Sequence, residues 1–286
     1  PVGPSIGVSY LSAALKQAGH TTKCLHICEW LDYPFDTEQI TKDAKAYDPG
    51  LIAFSSGTNH FPDWQLLAES IKSEMPDVPI QPSVHVQHDV LNLSIAAGEG
   101  SARVIGTIPD QVVTEDLRLV PTVENGRVVS DPGRDLLKIA VIERHHGTGN
   151  VGLGLVKGVG LKQGAIASSV AHDSHNLVVI GASDKEMRAA VAAITEMGGG
   201  LVVVSGGQVR AACPLPIAGL MSDQPIEEVR DQVEALTEAA HALGSTLPDP
   251  FMTLSFLALP VIPSLKLTDK GLVDVDKFHL VPLFGE

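Results

Sequence analysis

Apolar and polar positions follow two periods along the chain, and the dominant period changes twice. In "GVSYLSAALKQAGH" Val8, Leu11, Leu15 and Ala18 fall on one face of a 3.6-residue helix, and Gly19 supplies the left-handed residue that ends it. "TTKCLHIC" and "GLIAFSS" are predicted strands, the second a short apolar run of the kind buried on both faces. "DWQLLAESIKSEM" restores the helical period through Leu67, Ile71 and Met75, and "PDVPI" opens another strand. This alternation predicts a βαβ unit with a parallel sheet.

After about residue 80 the pattern becomes extended, rich in β-branched residues and without a clear helix, with Asn125-Gly126 as a hairpin signal. From residue 135 helix and strand signals mix again. "LLKIAVIER", "GAIASSVA" and "NLVVIGA" are predicted strands. Ser183-Asp184-Lys185-Glu186 reads as a capping box, and Met187, Ala190, Val191 and Ile194 form a buried helical stripe ended by Gly198-Gly199-Gly200. "GLVVVSGGQVRAAC" reads as a hairpin about Gly206-Gly207. Val229, Val233, Leu236, Ala240 and Leu243 predict a helix from Pro225 to Leu243.

Composition narrows the class. The 286 residues suffice for two ordinary domains, and 44% hydrophobic with 19% charged residues is a globular balance. No apolar run reaches the roughly 20 residues that span a bilayer, so no membrane partner is expected. A formal net charge of -14 disfavours nucleic acid as a partner. Cys24, Cys28 and Cys213 form no C-x-x-C and read as reduced thiols in a cytoplasmic protein. Cys24 and Cys28, with His26 between them, share one face of a strand and fit a core better than a metal site. A chain that opens on Pro1 rather than Met reads as a fragment, a processed product or a partial reading frame.

The densest chemistry lies in "ASSVAHDSHN", residues 167–176, set between two strands. A turn needs about two polar residues, and this one holds His172, Asp173, Ser174, His175 and Asn176 in succession. His172 and His175 can donate to or accept from ring nitrogens, Asp173 can fix an imidazole tautomer, and Asn176 suits amide recognition of a purine. Its bland counterpart is a turn whose Asp and Ser bond their own backbone. A second cluster, Glu143-Arg144-His145-His146-Gly147-Thr148-Gly149-Asn150, follows the strand "LLKIAVI". Arg144 and His145 are binding candidates there, with Arg144 equally readable as an ion-pair partner of Glu143 or Asp135. Ser168 and Ser169 precede the first turn and join the binding candidates.

"RVIGTIPDQVVTEDL", "DLLKIAVIERHHGTGNVGLGLVKGVGLKQGAIASSVAHDSHNLVVIGAS", "PLPIAGLMSDQPIEEV" and "DPFMTLSFLALPVIPSLKLTDKGLVDV" resemble the C-terminal domain of adenine deaminases, of the amidohydrolase superfamily, over about residues 84–286. The resemblance implies hydrolytic deamination of adenine to hypoxanthine and ammonia with a divalent metal (manganese, iron or zinc). It implies substrate-contact or supporting roles for His172, Asp173, Ser174 and His175. The metal cage of that family sits in a TIM barrel, which needs about 200 residues or more. The chain offers neither the room nor the family's His-x-His motif: His85 and His88, like His172 and His175, stand three apart. "PSIGVSYLSAALKQAGHTTKCLHI" and "YDPGLIAFSSGTNHFPDWQLLAESIKSEMPDVPI" resemble the Rossmann-like cobalamin-binding domain that precedes many radical SAM enzymes. That domain's Asp-x-His-x-x-Gly motif is absent, so neither His26 nor His60 is assigned to cobalt.

The expected fold is therefore α/β: a truncated Rossmann-like βαβ segment over 1–80, an extended linker over 81–134, and a mixed α+β adenine deaminase C-terminal domain over 135–286. The expected ligand is adenine or a related purine. Prolines among large apolar residues in "PLPIAGLMSD" and "LSFLALPVIPSLKL" predict an interface, and with it a homo-oligomer or a partner that supplies the barrel. A corrinoid- or purine-binding module without catalysis, or an interaction domain completing another chain's enzyme, are the rival readings.

Overall fold

The computed structural model describes residues 37–48, positions 70, 71, 73, 74 and 86, and residues 91–285. The chain forms two compact units, Pro1–Gln81 and Pro82–Glu286. In the first, helix α1 spans Thr37–Tyr47 and buries Ile40 and Ala44. Thr41 Oγ1 lies 2.9 Å from Ser70 Oγ, and Lys45 Nζ pairs with Glu74 at 2.6 Å. Positions 70, 71, 73 and 74 are helical, and Ile71 is buried as its spacing predicts. The predicted helix over residues 7–19, the strands at residues 21–28 and 50–56, the parallel sheet, Cys24, Cys28, His26, His60, His85 and His88 lie outside the described residues.

The second unit is built on an eight-stranded sheet of mixed direction. Its strands are β2 (Ala102–Thr107), β3 (Thr114–Leu119), β6 (Leu136–Ile142), β7 (Val151–Lys157), β8 (Ala165–Ser168), β9 (Leu177–Gly181), β10 (Gly200–Ser205) and β11 (Gln208–Pro214). They lie in the order β11-β10-β8-β9-β6-β7-β2-β3. Every neighbouring pair is antiparallel except β2 with β7. The stretch predicted as an extended linker thus carries two strands of this sheet. It also carries β1 (Ile95–Ala96), β4 (Thr122–Glu124) and β5 (Arg127–Val129), which form a small sheet of their own. Asn125 and Gly126 join β4 to β5 with φ of 49° and 75°, the two left-handed residues of a type I′ turn.

Both faces of the central strands are covered, which is why β6, β8 and β9 read as unbroken apolar runs. Leu137, Ile139, Val141, Ile166, Val178 and Ile180 point to one face. There they meet Leu236 and Ala240 of helix α3 (Ile226–Ala242), Leu254 of helix α4 (Pro250–Phe256), and Leu265 and Leu267 of strand β12 (Leu265–Thr268). Strands β13 (Gly271–Asp274) and β14 (His279–Val281) complete a third sheet with β12. Ala140, Ile142, Ala165, Ala167, Leu177 and Val179 point to the other face. They pack on Met187, Ala190, Val191 and Ile194 of helix α2 (Asp184–Glu196).

Local signals account for the element ends. Ser183 caps α2 by accepting from Glu186 N at 3.3 Å. The reciprocal half of the predicted capping box is not made: the Glu186 carboxylate accepts instead from Gly206 N and Gly207 N at the tip of the β10–β11 hairpin. Lys138, on the α2 face of β6, is buried with its ammonium held by Leu93 O and by Asp184 at 2.6 Å. Both partners are needed, because a buried cation without them loses its hydration uncompensated. Among the described residues no helix is long and apolar enough to cross a membrane.

Ile139 is fully buried at the centre of β6. Ile139→Ala is expected to cost about 2–5 kcal/mol in urea denaturation, whereas Val209→Ala, at a half-exposed edge position, should fall within about 0.5 kcal/mol of wild type. Equal losses for the two would contradict this packing.

Candidate functional site

Strand register gathers four loops at one end of the large sheet. Ile142 pairs with Leu177 and Ser168 with Val178, so the β6–β7 loop (143–150) and the β8–β9 turn (169–176) leave the sheet side by side. Leu201 pairs with Ser168 and Gly200 with Pro214, which brings the segment after β11 to the same end. Thr268 O lies against Gly152, too close for any side chain there, and this sets the β12–β13 hairpin beside the start of β7.

The turn carries its polar groups at three depths. Asp173 and Ser174 are exposed, His172 and His175 are partly buried, and Ser168, Ser169 and Asn176 are buried. The His172 ring packs on Phe256 of α4 with centroids 5.0 Å apart and lies 5.7 Å from His175. His175 adopts φ 50°, and its N–H returns to Ala171 O. Its Nδ1 accepts from Ala171 N at 3.3 Å, which leaves the proton on Nε2. The tautomer is thus fixed by the backbone rather than by Asp173, contrary to the sequence expectation. Asp173 bears on His175 through its charge.

The buried residues are bound inward. Ser168 Oγ bonds the backbone of Val170, and Ser169 Oγ donates to Gly219 O at 2.6 Å while accepting from Gly200 N. Asn176 donates to Asp269 in the β12–β13 hairpin at 3.1 Å, and its Oδ1 is buried without a partner. Asn176 therefore does not present a free amide, as amide recognition of a purine would need.

Arg144 is fully buried, so the direct ligand contact expected of it has no access in this structure. It does not hydrogen-bond Glu143 or Asp135. Its Nε donates to His175 O, and its Nη2 donates to Ala218 O at 2.7 Å. The Asp135 carboxylate accepts from Gly158 N and Gly160 N. Glu143 accepts from the backbone N–H of His145, His146 and Thr148 and from the Thr148 hydroxyl. Burial alone would raise its pKa, but these four donors outweigh it and hold Glu143 at about 2. Burial lowers Arg144 to about 10, with Glu143 opposing, and lowers His175 with help from His172 and Arg144. His145 Nε2 lies 2.7 Å from Ser174 O. A carbonyl only accepts, so His145 donates from Nε2, and in the neutral ring this leaves Nδ1 as an acceptor.

The sequence did not single out Ala218, Gly219, Phe256 or Asp269 as parts of this end of the sheet. Gly219 alone left a trace, since φ of 69° and the lack of room beside Arg144 Nη1 demand glycine. Among the described residues no group of three His, Cys, Asp or Glu side chains lies close enough together to hold a metal ion. The residues gathered here therefore do not fit, as ligands, the divalent metal that the resemblance implies.

The depressed Glu143 pKa contributes stability that is complete above the unfolded value of 4.5 and disappears as pH falls toward 2. Wild type should lose on the order of 2–3 kcal/mol across that window from this group. Glu143→Gln should flatten this part of the profile in pH-dependent urea melts. Superimposable profiles would mean that the nest does not hold the carboxylate.

Comparison with known proteins matches residues 111–279 to the adenine deaminase C-terminal domain and residues 1–81 to the B12 binding domain. The adenine deaminase of Desulfatibacillum aliphaticivorans is 58% identical over 209 residues, covering 73% of this chain and 37% of its own length. That of Methanothrix thermoacetophila is 53% identical over 215 residues, covering 74% and 38%. Adenine deaminase 2 of Carboxydothermus hydrogenoformans is 47% identical over 250 residues, covering 87% and 42%. The chain spans about two fifths or less of these relatives. With the mixed α/β fold they share a single conclusion: this chain belongs to the adenine deaminase C-terminal domain family.

Proposed function

We propose that this chain serves adenine deamination as the accessory domain that completes a purine site, with the hydrolytic metal held by a barrel that this sequence does not supply. The observation that carries the reading is the exposed, histidine-bearing turn at residues 172–175, held from three sides where four loops converge. His175 presents an Nε2–H donor, and burial, with the nearby His172 and Arg144, disfavours its charged form. His145 presents an Nδ1 acceptor. Adenine carries ring-nitrogen acceptors beside an exocyclic amine donor, which is the complementary pattern. Ser168, Ser169 and Asn176 act beneath the turn, and His172, packed on Phe256, shields it from water.

The hydrolysis of adenine to hypoxanthine and ammonia then belongs to the assembled enzyme, with a homologous copy or a barrel-bearing partner closing over the turn. Met252 and Val261, both more than half exposed on and after α4, support such a contact. The setting is read as cytoplasmic, in line with the free, buried Cys213. The match of residues 1–81 to the B12 binding domain supports a second reading, a corrinoid-binding module.

Adenine titrated into the chain should shift the imidazole resonances of His145 and His175, and His175→Ala should weaken binding by about tenfold, the worth of one well-made hydrogen bond. Unmoved imidazoles at saturating adenine would reject the purine site. Ammonia release after loading with manganese, iron or zinc, measured with and without a barrel-bearing chain, tests where catalysis resides. An unchanged cobalamin spectrum on mixing would reject the corrinoid reading.

A further inference from the structure

Arg144 stands out as a buried cation that the ion-pair network does not explain. Its side chain has no exposure, it hydrogen-bonds no carboxylate, and its donors go to two backbone carbonyls separated by 43 positions, His175 O and Ala218 O. A guanidinium offers a rigid planar fork, so one group can hold both carbonyls at fixed spacing, which a lysine cannot do. The second anchor is itself secured. Ser169 Oγ donates to Gly219 O, and Gly219 has no side chain where a Cβ would stand 2.9 Å from Arg144 Nη1.

The price of burying this charge is high unless the geometry it fixes is used. Without Arg144, the His175 carbonyl would lose its guanidinium partner, and a left-handed residue at φ 50° would lose one of its restraints. His145, next in sequence, donates to Ser174 O, so consecutive side chains of one loop grip consecutive carbonyls of the other.

We propose that Arg144 is a positioning residue, a clamp that fixes the 172–175 turn against the 217–221 segment and so orients the His175 imidazole. As a role in purine recognition this rests on the proposed function; as a clamp it stands apart from it. Besides Arg144, the charged and titratable groups that bear on His175 are His172, Asp173 and His145.

The test needs no purine. In the full chain the Arg144 Nε–H should exchange slowly with solvent and show a scalar coupling across its hydrogen bond to the His175 carbonyl carbon. Rapid exchange with no coupling would overturn the clamp in the unmodified protein. In Arg144→Lys and Arg144→Gln, exchange of the His175 amide should speed up by roughly tenfold or more, while amides of β6 and β9 keep their protection. The His175 imidazole should titrate higher in Arg144→Gln than in wild type, because a repelling charge is gone and the turn is looser. Folded variants with unchanged His175 exchange and titration would overturn the proposal. Adenine affinity measured alongside separates the two ideas: loss of the clamp signals with intact binding rejects positioning, and a clamp without any binding rejects the purine site.

Discussion

Burial of both faces of the large sheet is the constraint from which the other features follow. Ile139 and Val141 on one side of β6, and Ala140 and Ile142 on the other, are all buried. No backbone polar group there can turn to water, so each must pair with a neighbouring strand. The resulting register leaves chemistry to the strand ends. Because Ile142 pairs with Leu177 and Ser168 with Val178, the two polar clusters, 31 positions apart at Arg144 and His175, meet at one end.

That end is held by groups arranged in depth. Glu143 is satisfied by four donors from its own loop, leaving Arg144 free to bond carbonyls instead of a carboxylate. Burial, with His172 and the Arg144 cation beneath the turn, disfavours charge on His175, and the Ala171 N–H settles which ring nitrogen holds the proton. The His175 imidazole is thereby oriented by groups of the domain itself, with its charged form disfavoured.

Several elements could be read from the sequence because their signals are local. The stripe Met187, Ala190, Val191 and Ile194 with the Ser183 cap gives α2, and Asn125-Gly126 gives the β4–β5 turn, since each depends on residues a few positions apart. The helix starting at Ile226 follows its apolar spacing, although Val233, in the same stripe, is exposed. Residues 102–119 carried only an extended signal. Nothing local reveals that β2 runs parallel to β7 and carries β3 to the edge of the main sheet.

The same division holds at the candidate site. Sequence alone determined that residues 143–150 and 168–176 concentrate imidazoles, carboxylates and amides between apolar strands, and it carried the likeness to the adenine deaminase domain. Only the tertiary structure decided their roles: Arg144 facing two distant carbonyls, Asn176 turned to Asp269, His145 bound to Ser174 O, and Gly219 admitting the guanidinium. Periodicity reports which face of an element is buried. Which distant backbone atom a buried donor must satisfy is set by strand pairing, and pairing is a property of the whole sheet.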